Sequence, residues 1–475
     1  MAEILKPDLC VIGAGSAGLS VAAGASQMGA SVVLVEKGAM GGDCLNVGCV
    51  PSKAMLAAGH AAQAMRSADR FGLGAREPEV DFAAMRDRVQ GVIAAIAPMD
   101  SVARFEGFGV TVLQDAACFT GPREVVAGDA TIRARRFVLA TGSTPLVPPI
   151  PGLDATPHFT NETIFENGVR PDHLLVIGGG PIGCELAQAH RRLGAAVTLV
   201  EMATIMPKDD PELVEVVRDR LLAEGVALRE GVKVVAVEAR GPGVAVALEA
   251  ADGGREWLEG SHLLIAVGRK ATVEGLGLDE AGIEHSPRGV AVDDRLRTTN
   301  RHVFAIGDCI GGLQFTHMAS HHAGVVIKNA LFRWPAKTPA KAFPWVTYTD
   351  PELAHVGLSE AAAREAGESV TILRWAFAEN DRAQAERETE GLVKVVVTAK
   401  GRILGATIVG RQAGELIQIW VLAISNGLKI GAVAQAIAPY PTLGEASKRA
   451  AGTYYTPKLF SERTRKIVRF LAKFG

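Results

Sequence analysis

Two segments of this chain repeat one plan, and that repeat limits the folds open to it more than any other feature. Asp8–Lys37 runs from the apolar stretch DLCVIG through Gly13-Ala14-Gly15-Ser16-Ala17-Gly18 into an alanine-rich helix and then SVVLVE. Leu174–Glu201 does the same, with LLVIG, then Gly178-Gly179-Gly180-Pro181-Ile182-Gly183, a helix and AVTLVE. Each reads as strand, glycine turn, helix and strand, the βαβ arrangement that holds a dinucleotide. A single such turn among 53 glycines carries little weight. Two copies, each behind an apolar strand and each closed by a glutamate (Glu36 and Glu201), carry much more. Glycines let the backbone approach a pyrophosphate, and the helix N-terminus offers free N–H groups and partial positive charge. The two glutamates stand where a carboxylate can accept the ribose hydroxyls. A 2′-phosphate there would meet like charge, so the second repeat predicts NADH, with NADPH disfavoured.

Three further apolar runs end in loops: Ala134–Pro145, Ser261–Lys270 and Asn300–Cys309, the last closing on Gly307-Asp308. From about Lys341 the pattern changes to strand-like runs, FPWVTYT, GLVKVVVTA and RILGATIVG, followed by a long helix from Ala413. This predicts an α+β domain of another kind. The fold class expected is α/β, with two Rossmann-like dinucleotide-binding domains and a C-terminal α+β domain. Boundaries fall near residues 145, 270 and 340.

Length and charge narrow the partners. At 475 residues, the chain has room for about three domains. Its formal net charge of −2 gives no reason to expect nucleic acid or an anionic membrane as partner. No apolar run reaches the roughly 20 residues of a membrane helix. The N-terminus enters a buried-looking strand almost at once, so a cytoplasmic protein is expected.

Six cysteines are present, too few for a disulfide scaffold. No CxxC meets a second CxxC or an HxxxH, so no metal site is expected. Only Cys44 and Cys49 are close, within GGDCLNVGCVPSK (Gly41–Lys53) ahead of the apolar helix AMLAAGHAAQAM. Five residues of regular helix rise roughly 7.5 Å, whereas a disulfide holds its Cα atoms within about 4.4–6.8 Å. A bridge therefore demands a distorted first turn, for which Gly48 and Pro51 are suited. A helix N-terminus also lowers a thiol's pKa. The plain alternative is two buried cysteines acting as small hydrophobes. Cys10, Cys118, Cys184 and Cys309 are expected to be core residues.

These motifs, with ATGS, GGGPIGCE, AVGRK, AIGD, YTDPELAHVGLSE and APYPTLGE in the same order, resemble the flavoprotein disulfide reductases over nearly the whole chain. That family includes dihydrolipoamide dehydrogenase, glutathione reductase and mercuric reductase. The resemblance implies an FAD domain of residues 1–145 and 270–340, a nicotinamide domain of residues 146–269, and a dimerisation domain of residues 341–475. Hydride would pass from the nicotinamide to flavin N5. Electrons would then reach a redox-active disulfide through Cys49, the charge-transfer thiol, with Cys44 as the interchange thiol that meets substrate. Lys53 would lie near N5 paired with Glu185, a pair in which neither charge could be buried alone without a large penalty. Cofactor contacts are implied at Gly13, Gly15, Gly18, Glu36, Lys37, Gly42, Ala117, Thr141, Gly142, Ser143 and Asp308. The same holds for His317 and Ala319 in THMA, where a helix N-terminus would underlie the flavin pyrimidine. In the nicotinamide domain the implied contacts are Gly178, Gly180, Gly183, Glu201, Gly268 and Arg269. His317 and His321 are four apart, with His322 next. They read as a helix packed under the flavin rather than as metal ligands.

The chain departs from the family near its end. Disulfide-reducing members carry His-Pro, with a glutamate a few residues on, and that histidine reaches the partner subunit's site as an acid–base. Here the motif is Tyr440-Pro441-Thr442-Leu443-Gly444-Glu445. Histidine titrates near 6.5 and tyrosine near 10, and a base works best with a pKa near the working pH. Mercuric reductases carry tyrosine here but add a C-terminal cysteine pair, whereas this chain has no cysteine after Cys309 and ends FLAKFG. Three readings follow: an NAD(P)H-dependent reductase of a small disulfide or thiol-linked substrate, a reductase of a soft metal ion or other electrophile, and a dehydrogenase subunit of a larger complex. A homodimer is expected in each.

Overall fold

The computed structural model describes residues 3–338 and 342–474. The chain forms two compact units, Met1–Met65 with Glu77–Met202 and Gly231–Pro339, and Arg66–Arg76 with Ala203–Glu230 and Ala340–Gly475. The boundary expected at 340–341 lies outside the described residues.

Both βαβ repeats form in the first unit. Leu9–Ile12, Ser16–Gln27 and Val32–Val35 make the first; His173–Ile177, Pro181–Arg192 and Ala196–Glu201 make the second. Leu9–Ile12 is the central strand of a five-stranded parallel sheet. Arg136–Leu139 and then Val303–Ala305 lie on one side of it, Val32–Val35 and then Val110–Leu113 on the other. Such a sheet is covered on both faces, which is why its strands are apolar without alternation. Leu9 and Val11 enter one core, Cys10 and Ile12 the other. The helix Ser16–Gln27 packs closely on Thr316–Ala330, where a Cβ on Gly24 would stand 2.7 Å from Ile327 Cδ1.

The second repeat builds a smaller parallel sheet, with His173–Ile177 between Ala196–Glu201 and His262–Ile265. The chain leaves the first sheet for this one and later returns. The outgoing Ser143–Pro145 and the incoming Arg269–Ala271 pair antiparallel. Two further sheets in the unit are the antiparallel Lys233–Arg240, Gly243–Glu249 and Arg255–Gly260, and the meander Ala117–Gly121, Glu124–Ala127 and Ala130–Ile132, to whose last strand Glu3–Leu5 adds in parallel. Strand alternation turns Ala117 and Phe119 inward and Cys118 outward, so Cys118 is exposed and is not the core residue expected. Cys10, Cys184 and Cys309 are buried.

The second unit contains the α+β arrangement. Its five-stranded antiparallel sheet runs Pro344–Thr347, Glu352–Gly357, Ile403–Gly410, Leu392–Thr398, Val370–Ala376. The helix expected from Ala413 is two pieces, Ala413–Leu416 and Gln418–Ser425. The chain tightens at Ile417, whose carbonyl accepts from Trp420 N–H at 2.9 Å, and Trp420 in turn donates Nε1–H to buried Ser447 at 3.1 Å. Packing therefore breaks a run that periodicity reads as continuous. Residues 203–230 also belong to this unit. Lys394 holds them: its Nζ lies 2.7 Å from Asp210, 2.8 Å from Glu212 and 3.1 Å from Glu360.

Candidate active site

The two glycine turns are the same in geometry. A Cβ on Gly13 would lie 2.4 Å from the Ala140 carbonyl oxygen, and one on Gly18 1.8 Å from that of Gly13. In the second turn the corresponding distances are 2.4 Å, Gly178 to Ala266, and 1.9 Å, Gly183 to Gly178. The protein itself therefore forbids a side chain at the first and third glycines. The middle ones differ: Gly180 has nothing within 4 Å, and Gly15 only the Gly42 Cα at 3.9 Å. A side chain there would fill space that nothing else occupies, the cradle a pyrophosphate needs. Glu36 accepts from Ala14 N–H at 2.6 Å and Gly38 N–H at 2.7 Å, and Glu201 from Gly179 N–H at 2.7 Å. Each glutamate thus braces its own glycine turn at the end of the second strand. Lys37 is exposed just beyond the first of these strands.

The redox motif is seated on the first turn. Gly41 N–H donates to the Ala14 carbonyl at 3.0 Å, and Gly42, at φ +60°, comes so close that a Cβ would stand 2.6 Å from Gly15 Cα. Cys44 lies in the short helix Gly42–Asn46, which stops at Val47, and Cys49 opens the long helix Cys49–Arg66. The distortion is thus a complete break. Gly48 makes it possible, since a Cβ there would be 2.7 Å from an Asp43 carboxylate oxygen. Pro51 falls in the first turn of the new helix, where its missing N–H costs nothing.

The structure holds the two cysteines as thiols in hydrogen-bond contact, neither in a disulfide. The Cys44 hydrogen bond is the main cause lowering Cys49 to about 6, helped by the Thr316 hydroxyl 3.5 Å away and by the Lys53 charge. The same bond, with burial, raises Cys44 well above the ordinary thiol range. Both shifts favour a Cys49 thiolate beside a Cys44 thiol at neutral pH. Lys53, one turn after Cys49, places Nζ 2.8 Å from Oε2 of buried Glu185, one turn into Pro181–Arg192. The redox helix and the helix of the second glycine turn are joined by that ion pair.

A second chain of contacts reaches the loop between the cysteines. Arg269 donates to Ser143 Oγ at 2.8 Å and to the Ser143 carbonyl at 2.9 Å. It also reaches Asp43 at 2.8 Å and Asn161 at 3.3 Å. Ser143 in turn donates its hydroxyl hydrogen bond to Asp308 Oδ2 at 2.7 Å, and burial raises the Asp308 carboxyl above its ordinary range. Buried Asn161 donates to the Val47 carbonyl at 3.1 Å. Arg269, which opens the strand after the turn at Gly268 (φ +134°), is thus tied to the redox loop as well as to the strand Ser143–Pro145. Asp43 stood inside a legible motif, but Asn161 carried no sequence signal at all.

The remaining expected residues have contacts of their own. Thr141 donates to the Thr272 carbonyl at 2.7 Å, and Gly142, at φ +70°, has open space where a side chain would project. Ala319 is buried in the helix Thr316–Ala330, while His317 is exposed and stacks on Phe315. His322 accepts from Gly307 N–H at 3.3 Å, and burial lowers it to about 4, so it packs as a neutral ring. Among the described residues, no group of three or more His, Cys, Asp or Glu is placed to hold a metal. Ala117 packs in the apolar core beside Phe119. In the second unit Tyr440 is 69% exposed and donates to Asp381 Oδ2 at 3.0 Å. Asp381, first, and Glu445 raise its pKa.

Residues 7–323 match the model of the pyridine nucleotide-disulphide oxidoreductase family, and residues 343–451 match that family's dimerisation domain. The chain belongs to this family. It is 38% identical over 458 residues to a mercuric reductase of Streptomyces lividans, covering 94% of this chain and 96% of the relative. It is 39% identical over 456 residues, with the same coverage, to a dihydrolipoyl dehydrogenase of Thermus scotoductus. Among solved structures, the Cu(II) complex of the HOCl-induced flavoprotein disulfide reductase RclA from Escherichia coli is 27% identical. It superimposes with a TM-score of 0.83 over 93% of this chain and 98% of that one. The family consists of FAD-dependent enzymes that use NAD(P)H, and the two open glycine cradles fit those two dinucleotides. Among the described residues, no helix is long and apolar enough to cross a membrane.

Proposed function

We propose that this protein is an NADH-dependent reductase that delivers two electrons to its acceptor as the Cys44–Cys49 dithiol. The observation that carries this is the thiol pair itself, brought together across a break between two helices, with the Thr316 hydroxyl 3.5 Å from Cys49 and the Lys53–Glu185 ion pair one turn further on. FAD, when bound, supplies a two-electron carrier between the nicotinamide and the thiols. Residues 1–145 with 270–340 hold it, residues 146–269 hold the nicotinamide, and residues 341–475 form the interface of a homodimer. Lys53, anchored by Glu185, keeps a positive charge beside Cys49 and favours its thiolate. With a disulfide acceptor, Cys44 attacks one sulfur as its proton passes to the departing thiolate, and the Cys49 thiolate then attacks Cys44, closing the Cys44–Cys49 disulfide and releasing the second thiolate.

The acceptor class we propose is a small disulfide or thiol-linked compound, with Tyr440 and Glu445 contributed by the partner subunit. A second reading, a soft metal ion or other thiophilic electrophile, is favoured by Tyr440. A phenol held to Asp381 with a raised pKa is a poor proton acceptor at neutral pH, and binding of a thiophilic ion needs no such base. NADH oxidation assayed with lipoamide, glutathione disulfide, Hg(II) and Cu(II) separates the readings. Turnover with at least one of these should vanish in Cys44→Ser. Turnover that survives this change would overturn the dithiol route.

A further inference from the structure

The chain continues past the family's dimerisation domain, which ends at residue 451. There it forms the helix Glu462–Leu471, in which no residue is buried. Its start is well defined, because Ser461 Oγ accepts from Thr464 N–H at 3.2 Å. Ile467, Phe470, Leu471 and Phe474 follow at spacings of three and four, so they share one face, and the rings of Phe470 and Phe474 meet at 5.1 Å. All four are exposed, from 49% at Ile467 to 74% at Phe474. Phe460, just before the helix, is 68% exposed. The opposite face carries Arg465, Lys466, Arg469 and Lys473, while Arg463, one turn before Ile467, borders the apolar face at the start of the helix.

Charge decides what can cover this surface. Between Thr456 and Phe474 there are six basic side chains and one acidic one, Glu462, in a chain whose formal net charge is −2. The positive charge is therefore concentrated here against a negative remainder. A second copy of the helix would bring like charge against like charge. At about 1.5 Å per residue the helix spans roughly 15 Å, about half the apolar thickness of a bilayer, so it cannot cross one. A short helix with large aromatic and aliphatic side chains on one face and arginines and lysines on the other lies in the plane of a membrane surface. Its rings enter the acyl boundary and its cations meet anionic headgroups.

We propose that Glu462–Leu471 docks this reductase on an anionic lipid surface, as a peripheral protein. The test is flotation of the full-length, FAD-loaded protein with vesicles of phosphatidylglycerol and phosphatidylcholine, compared with phosphatidylcholine alone. Binding is expected to the anionic vesicles only and to weaken with salt. Ile467→Glu with Leu471→Glu should lower the bound fraction by about tenfold or more. Arg465→Ala, Lys466→Ala and Arg469→Ala together should do the same while keeping the apolar face. Sedimentation of each variant shows whether assembly is intact. Failure of the wild type to float, or equal flotation of the wild type and both variants, would overturn the proposal. So would a change from dimer to monomer in the apolar-face variant, which would assign the helix to the subunit interface.

Discussion

Nη2 of Arg269 lies 2.8 Å from Oδ1 of Asp43, the residue immediately before Cys44. The arginine side chain is 12% exposed and the aspartate 38%. Asp43 pushes the Cys49 pKa upward, and the guanidinium beside it offsets that charge. Arg269 is therefore a positioning residue for the redox loop. Arg269→Met should move the titration of the Cys49 thiolate to higher pH, and Asp43→Asn should move it lower. The readout is the long-wavelength charge-transfer absorbance of the reduced, FAD-loaded protein against pH. Arg269→Met also leaves hydrogen-bonding groups unmet, and should cost about 1–3 kcal/mol in thermal unfolding. Titrations that shift the same way in both variants would remove the electrostatic argument.

The Cys49 thiol is lowered to about 6, first by the hydrogen bond from Cys44. A depressed acid is ionised above its pKa and protonates as pH falls through it. The charge-transfer band should therefore be full at pH 8 and fade through pH values near 6. Cys49→Ser should abolish it. Lys53→Met and Thr316→Val should each move the fading upward. A band that persists in Cys49→Ser would mean that the two cysteine roles are exchanged.

Tyr440 already has carboxylates near it, Asp381 in hydrogen-bond contact and Glu445 as a further negative charge. An imidazole in its place would find partners to orient it and would titrate near neutrality. General acid–base help is typically worth about 10²–10⁴-fold, so Tyr440→His should raise lipoamide turnover visibly even if only part of that is recovered. Flavin reduction by NADH, followed in a single turnover, should stay unchanged. Rapid lipoamide turnover by the wild type, with no gain in the variant, would show that Tyr440 is not the deciding group.

Glu201 braces Gly179 through one carboxylate oxygen. Glu201→Gln keeps an acceptor there and removes the charge that a 2′-phosphate would meet. The kcat/KM ratio of NADPH to NADH should rise by about tenfold, the scale of one close charge repulsion at a protein surface. Equal efficiency with both nucleotides in the wild-type enzyme would reject the preference at its root.

Some of this protein was fixed by local chemistry and could be read directly. Glycine turns between apolar strands announce themselves because backbone clash leaves no alternative at Gly13, Gly18, Gly178 and Gly183. The cysteine pair and its glycine were legible because five residues of continuous helix cannot bring two thiols together. Other features depend on residues far apart in sequence. Nothing near Asn161 hinted that it would hold the Val47 carbonyl, and nothing near Arg269 hinted at Asp43, 226 residues away. Cys118 read as core until strand alternation turned it outward. The helix from Ala413 read as one until the burial of Ile417 and Trp420 divided it. Lys394, 5% exposed, finds the carboxylates of Asp210 and Glu212 from far along the chain. Periodicity and motif report forces between neighbours along the chain. Which charge neutralises which, and which face meets solvent, is decided only when distant segments pack and desolvation makes an unpaired group costly.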